Sequence, residues 1–194
     1  LEPEVRRIDV ASAGLQLLAW GERPDTFPWF EAPREEAVAA ALRLLNRLQA
    51  TNEAGRLTAA GKMMARLPVA PRLARLLLAG HALGHPETIC LAAAMLSERD
   101  PFLRGRSAGG KVSGPVTATS RWECDVTQRL VALRGWLERG EGNSRFGEVH
   151  RGTAAAIQQV ARELLDDCRK LLGEPPPAVC PADEALPRAL LLAM

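Results

Sequence analysis

The side chains best suited to catalysis in this 194-residue chain are dispersed rather than assembled. Gly109-Gly110-Lys111 lies in the glycine-rich stretch 105–114 and is the nearest approach to a phosphate-gripping loop. Such a loop needs a preceding strand, backbone amides wrapped around phosphate at a helix start, and a lysine at the G-x-x-x-x-G-K-[ST] spacing. Neither the spacing nor the strand is present, so nucleotide binding and hydrolysis by the chain itself are not expected. Ser97, His81 and Asp100 supply the residue types of a hydrolytic triad, but a triad is a geometry, and these types occur in any chain of this size. Asp166-Asp167 reads as a helix surface pair rather than an acid–base dyad. Cys90, Cys124, Cys168 and Cys180 are not paired at metal-ligand spacing; His81 and His85 stand four apart, but Cys90 lies beyond Pro86 in another helix, so no metal site is expected. A reduced protein with buried thiols is the default reading of such cysteines. No catalytic residue is assigned.

What remains is charge. The net charge is +2, too small to demand a polyanionic partner, but it is unevenly distributed. Residues 1–100 balance to zero, 101–151 carry +4, and 152–194 carry −2. A basic middle suits phosphate contact and equally suits an ordinary solvated surface. Its cations include Arg104, Arg106 and Lys111 on a long loop, with Arg121, Arg129 and Arg134 on or beside the helix that follows.

The elements that must position these groups are mostly helices. Aromatics make up 4% of the chain and the apolar mass is Leu and Ala, which favours helix over strand. The spacing predicts a first helix over Pro3 to Trp20, closed by Gly21. Phe27, Trp29 and Phe30 form an aromatic plug in a proline-flanked connector, with base stacking as the alternative. Pro33 opens a second helix with Glu35 and Glu36 in its first turn and Val38, Ala41, Leu42, Leu45 and Leu48 as its buried stripe. Asn52 to Gly55 is a turn, Arg56 to Thr58 a short strand, and Thr58 caps a third helix through Leu67 with Met63 inward. After Pro68 and Pro71, helices Arg72–Leu83 and Glu87–Glu98 form a hairpin with Ile89, Ala93 and Leu96 inward. Phe102 to Ser120 is a structureless connector. Trp122–Leu137 is a helix, ended at Gly140 to Gly142. Thr153 caps a long helix over Ala154–Leu172, Glu174-Pro-Pro-Pro is a stiff exit, and Glu184 to Met194 is helical again.

The stretch Gly55 to Gly80, GRLTAAGKMMARLPVAPRLARLLLAG, resembles the helicase-associated region of DEAH/RHA-type ATP-dependent helicases. The tetrapeptide Ser97-Glu98-Arg99-Asp100 and the opening PEVRRIDVASAGLQLLAWG resemble the HrpB branch of that family. The likeness runs from Pro3 to Pro101 and loosens afterwards. It implies a mainly α fold: a winged-helix subdomain with a small β-wing over 1–68, a ratchet-like helical bundle over 69–174, and over 175–194 a linker and the start of a truncated following segment. It also implies two RecA-like motor lobes, absent from this chain, which would be its partners and would hold ATP and magnesium. The chain itself is expected to need no cofactor.

The resemblance implies that the fragment closes a channel for single-stranded RNA or DNA and couples motor movement to the strand, in a cytoplasmic protein. Contacts would be to the backbone, weakly sequence-selective and salt-sensitive. Glu98, Arg99 and Asp100 form local ion pairs at a helix end or, with Ser97 as the family's tetrapeptide, brace a domain interface. Two other functions stay open: a free-standing winged-helix DNA-binding protein, which Glu35 and Glu36 on the candidate reading helix Arg34–Gln49 count against, and a structural protein-interaction module. No membrane span is expected.

Overall fold

The computed structural model describes residues 9–103, 124–140 and 146–193. It is mainly α, as expected, with a minor β component. Two compact units are distinguishable, 1–79 with 190–194 and 80–189.

The first unit holds α1 (Ala11–Trp20), α2 (Glu35–Arg47), α3 (Ala59–Met64) and the start of α4 (Pro71–Ala82). Asp9 Oδ1 accepts the Ala11 N–H at 2.9 Å and so caps α1; residues before Asp9 lie outside the described part. Gly21, at φ +91°, ends the helix in the left-handed conformation that glycine adopts freely. The α2 stripe forms at four of its five expected positions: Val38, Ala41, Leu45 and Leu48 are buried, Leu42 is only half-buried, and Val10, Ala11 and Ala41 form a cluster over which Ala37 and Leu44 pack. Each fully buried leucine contributes about 1.5–3 kcal/mol.

The end of α2 is tied to α3 through a compact crossing. Gln49 takes a left-handed φ of 59°, and Ala50 N–H reaches back to Leu45 O at 2.9 Å. Thr58 caps α3 as expected, its Oγ1 accepting Gly61 N–H at 3.0 Å while donating to Gln49 O at 2.6 Å. The expected strand at Arg56–Thr58 is reduced to a single antiparallel bridge, Thr51 with Leu57. The helix stops at Met64 rather than Leu67, and Met64, not Met63, is the buried methionine. A six-residue helix offers too few apolar positions to fix its rotational phase. In the connector, Phe27 and Trp29 pack edge-on with centroids 5.1 Å apart, and the Trp29 indole donates to Pro24 O. Phe30, expected to join them, is fully exposed.

In the second unit α5 (Pro86–Ser97) begins on its proline, which lacks the N–H that the first turn cannot use. Gly80 brings α4 against α5: a Cβ there would stand 2.4 Å from Ile89 Cβ. Ile89, Cys90, Ala92, Ala93, Ala94 and Met95 are buried, whereas Leu96, expected inward, is 43% exposed. The long partner of α5 is α7 (Arg151–Leu172), which buries Ala154, Ile157, Leu164 and Cys168. Its cap is His150, whose Nδ1 accepts Thr153 N–H at 3.1 Å, and not Thr153 itself. A hydrogen bond to Cys168, with burial second, pushes the Cys90 thiol up, so it behaves as a core side chain. Between these helices in sequence comes α6 (Asp125–Arg139). It is capped by Cys124, whose Sγ accepts Thr127 N–H at 3.3 Å, and its expected start at Trp122 lies outside the described residues. The last helix, α8 (Ala182–Leu192), carries Pro187 within it.

The sequence placed Phe102 in a structureless connector. Instead β1 (Phe102–Leu103) pairs antiparallel with β2 (Glu148–Val149), Phe102 opposite Val149. Both of these residues are buried, and a positive φ of 111° at Gly147 turns the chain into β2.

Candidate nucleic-acid interface

Of the six cations singled out for strand contact, Arg104, Arg106, Lys111 and Arg121 lie outside the described residues. Arg129 and Arg134 are both on α6, and both are engaged. Arg129 Nη2 stands 2.5 Å from Asp100 Oδ2, and its Nε is 3.5 Å from Asp125 Oδ2 one helical turn back. Its guanidinium carbon lies 5.2 Å from the centroid of Phe102 and 5.1 Å from that of Phe146, within cation–π range of both. The two rings are themselves 5.3 Å apart. With its side chain only 21% exposed, Arg129 is the hub of a small latch joining the end of α5, the strand pair and α6. Arg134 Nη2 donates to Thr88 Oγ1 of α5 at 2.9 Å. A guanidinium has five donors, so each arginine keeps some for an incoming phosphate.

The tetrapeptide Ser97 to Asp100 makes its contacts at its two ends. Ser97 Oγ donates to Ala94 O at 3.0 Å within the last turn of α5. Glu98 and Arg99 are exposed. Asp100 accepts from Phe102 N at 3.0 Å and from Arg129, 29 positions along the chain, so it braces the inside of one unit. Phe102 and Phe146 were not among the residues singled out from sequence. The signal available was a buried-type aromatic immediately after Asp100-Pro101.

Nothing described is arranged for bond-making chemistry. His81 Nε2 meets Gly173 O at 3.2 Å and His85 Nε2 meets Cys180 O at 2.7 Å, tying the α4–α5 corner to the segment after α7. Ser97, His81 and Asp100 are each committed to other partners. Among the described residues no group of three or more His, Cys, Asp or Glu could hold a metal ion. No described helix is long and apolar enough to cross a membrane.

On α2 the charges are separated end to end. Glu35 and Glu36 occupy its first turn, where carboxylates favour the helix dipole, and Arg43 and Arg47 lie in its C-terminal half. The acidic pair therefore does not oppose the arginines along the whole helix.

Comparison with known proteins finds helicase-associated domains in the chain. Residues 41–69 match the winged-helix family of the helicase associated domain (HA2), and residues 70–140 match the ratchet-like HA2 family. The chain is 31% identical over 183 residues to the probable ATP-dependent RNA helicase DHX34 of Homo sapiens, and 27% identical over 183 residues to that of Mus musculus. Each alignment covers 88% of this chain and 16% of the relative. Over 108 residues it is 33% identical to the ATP-dependent RNA helicase HrpA homolog of Haemophilus influenzae, covering 52% of this chain and 8% of that protein. The chain thus spans 16% or less of the length of these relatives.

Proposed function

Because the chain carries the winged-helix and ratchet-like parts of the HA2 helicase-associated domain, we propose that it is the accessory strand-channel and coupling region of a DEAH/RHA-type, ATP-dependent RNA or DNA helicase. The observation that carries this reading is the order of the two matches, the ratchet-like region beginning one residue after the winged helix ends. The opening PEVRRIDVASAGLQLLAWG and the Ser97 to Asp100 tetrapeptide favour the HrpB branch within that class, in a cytoplasmic protein. The winged-helix part would occupy 1–68 and the ratchet-like bundle 69–174.

The physical role is mechanical. Motor lobes of the same parent chain would bind ATP and magnesium and change their separation with the nucleotide. A helical block held by the α5–α7 packing and the Arg129 latch transmits that change to a single strand. The work comes from different contacts in the two motor states, and none of it originates in this block. Strand contact falls to the backbone, from the loop cations Arg104, Arg106 and Lys111, from Arg121, and from whatever donors Arg129 and Arg134 retain.

The chain alone should then bind no ATP. Titrating magnesium-ATP into the isolated 194-residue chain, with phosphate release followed in parallel, is expected to show neither saturable heat nor turnover above buffer. Saturable binding with hydrolysis would overturn the reading.

A further inference from the structure

The first unit contains an amphipathic pocket of about 330 Å³ formed by the outer face of α2 and the Asn52–Gly55 turn. This volume lies at the lower end of the range for small-molecule sites. Leu18, Pro24 and Leu42 are its less exposed lining, while Arg43, Arg47 and Glu53 are exposed at its edge. Arg23 and Asp25 also line it, but they are bound to each other in two hydrogen bonds, at 3.0 and 2.6 Å, so the pair offers little net charge.

Arg43 and Arg47 are four residues apart and face the same way. Like charges at that spacing weaken a helix by about 0.2–0.5 kcal/mol. Among the described residues no hydrogen bond or ion pair engages either one, in contrast to Arg23, Arg75, Arg129 and Arg134. Their guanidinium forks are thus available to grip a phosphate from two sides, the geometry in which arginine outperforms lysine. The wall opposite is preorganised. Asn52 Oδ1 accepts Arg56 N–H at 2.9 Å, Gly55 N–H bonds Asn52 O at 2.9 Å, and Asn46 Nδ2 donates to Asn52 O at 3.1 Å. Glu53 therefore projects from a turn pinned to α2. A carboxylate on the same rim as two arginines repels a bare anion yet accepts well from sugar hydroxyls. The rest of the lining mixes Asn46, Thr51 and Asn52 with Leu18, Pro24 and Leu42, and these apolar side chains can cover the face of a base.

We propose that this pocket binds one nucleotide unit of a single-stranded RNA: its phosphate on Arg43 and Arg47, its ribose hydroxyl on Glu53, and its base against Leu18, Pro24 and Leu42. A 2′-hydroxyl is the group by which a protein tells RNA from DNA at one site. The inference rests on the proposed single-strand contact but locates it in a different unit from the basic middle of the chain.

Photocrosslinking the intact chain to a 4-thiouridine oligoribonucleotide, followed by mass spectrometry, tests the two separately. Crosslinks are expected in residues 41–55. In R43E/R47E they should fall by about tenfold or more, the loss of a charge-assisted pair, while crosslinks around residues 124–134 persist. Glu53→Gln should cut the preference for ribo- over a matched deoxy-oligonucleotide in competition for the 41–55 crosslinks, with the circular dichroism spectrum unchanged. Crosslinks around 124–134 alone would overturn the pocket and leave the proposed function standing. Crosslinks in 41–55 alone would leave the pocket and remove the basic middle. No crosslink in either place, or displacement from 41–55 by an acidic peptide but not by a ribonucleoside monophosphate, would overturn the pocket.

Discussion

Gly61→Ala is expected to unfold the winged-helix unit locally, at a cost of about 3 kcal/mol, the upper end of the range for overpacking. A Cβ at this position would stand 2.0 Å from Ala50 O and 2.8 Å from Ala50 C, so the obstacle is backbone and not a side chain that can rotate away. Relief requires α3 to lift off the end of α2. That movement would break the Thr58 cap, its bond to Gln49 O, and the Thr51–Leu57 bridge together. A control is available in Gly55→Ala, where no atom lies within 4 Å and only the positive φ of 72° is strained, costing about 1–2 kcal/mol. Hydrogen exchange should report the difference: residues 41–67 lose protection in Gly61→Ala while α5 and α7 keep theirs. Unchanged protection in 41–67 would show that the close approach is not essential to the unit.

The second large effect is expected at Arg129. Removing its side chain in Arg129→Ala abolishes the contact to two aromatic faces and leaves Asp100 without its partner from α6. A cation–π contact in a partly desolvated site is worth about 1–2 kcal/mol and a hydrogen bond to a charged group about 1.5–3 kcal/mol. Asp100 is nearly half exposed, so water recovers part of the second sum, and a net loss of about 2 kcal/mol is expected. Arg129→Lys should restore less than half, because a lysine ammonium cannot lie flat between two rings. Chemical denaturation followed by circular dichroism would read this, with Asp100→Ala and the double variant closing a cycle. A coupling near zero would mean that the Arg129–Asp100 pair adds no stability and that the loss in Arg129→Ala comes from the ring contacts.

Arg129 also illustrates what could and could not be read beforehand. Its charge, its place beside the apolar seam of α6 and its spacing from Asp125 were legible, but its other partners, Asp100, Phe102 and Phe146, lie at the end of α5, in β1 and in the turn before β2. No local pattern announces such pairings. The β1–β2 ladder failed for the same reason: each strand has two residues, and their partners are separated by a helix. Elements with strong local signals were legible. The α2 stripe recurs at helical spacing, Pro71 and Pro86 open α4 and α5, and Thr58 caps α3 through a bond to its own neighbour three residues on. Local signals also misled where two residues competed. Thr153 looked like the cap of α7, yet His150, three positions earlier, supplies the acceptor. Met63 and Met64 are adjacent, and a six-residue helix did not say which one turns inward. On α2 the sequence showed four charges that cancel, and only their positions along the helix showed that they do not meet.

The central claim is that this block touches a single strand through its phosphates and without regard to sequence. Affinity of the isolated chain for a labelled single strand, measured across a range of salt concentrations, tests it most directly. Each phosphate contacted lowers the logarithm of the affinity by about 0.7 per logarithm of salt for a single strand. A slope of about −2 to −3 is expected, the same for unrelated sequences, and a shallower one after replacing Arg104, Arg106, Lys111 and Arg121 with glutamate. A flat salt dependence, or tight preference for one duplex sequence, would contradict it.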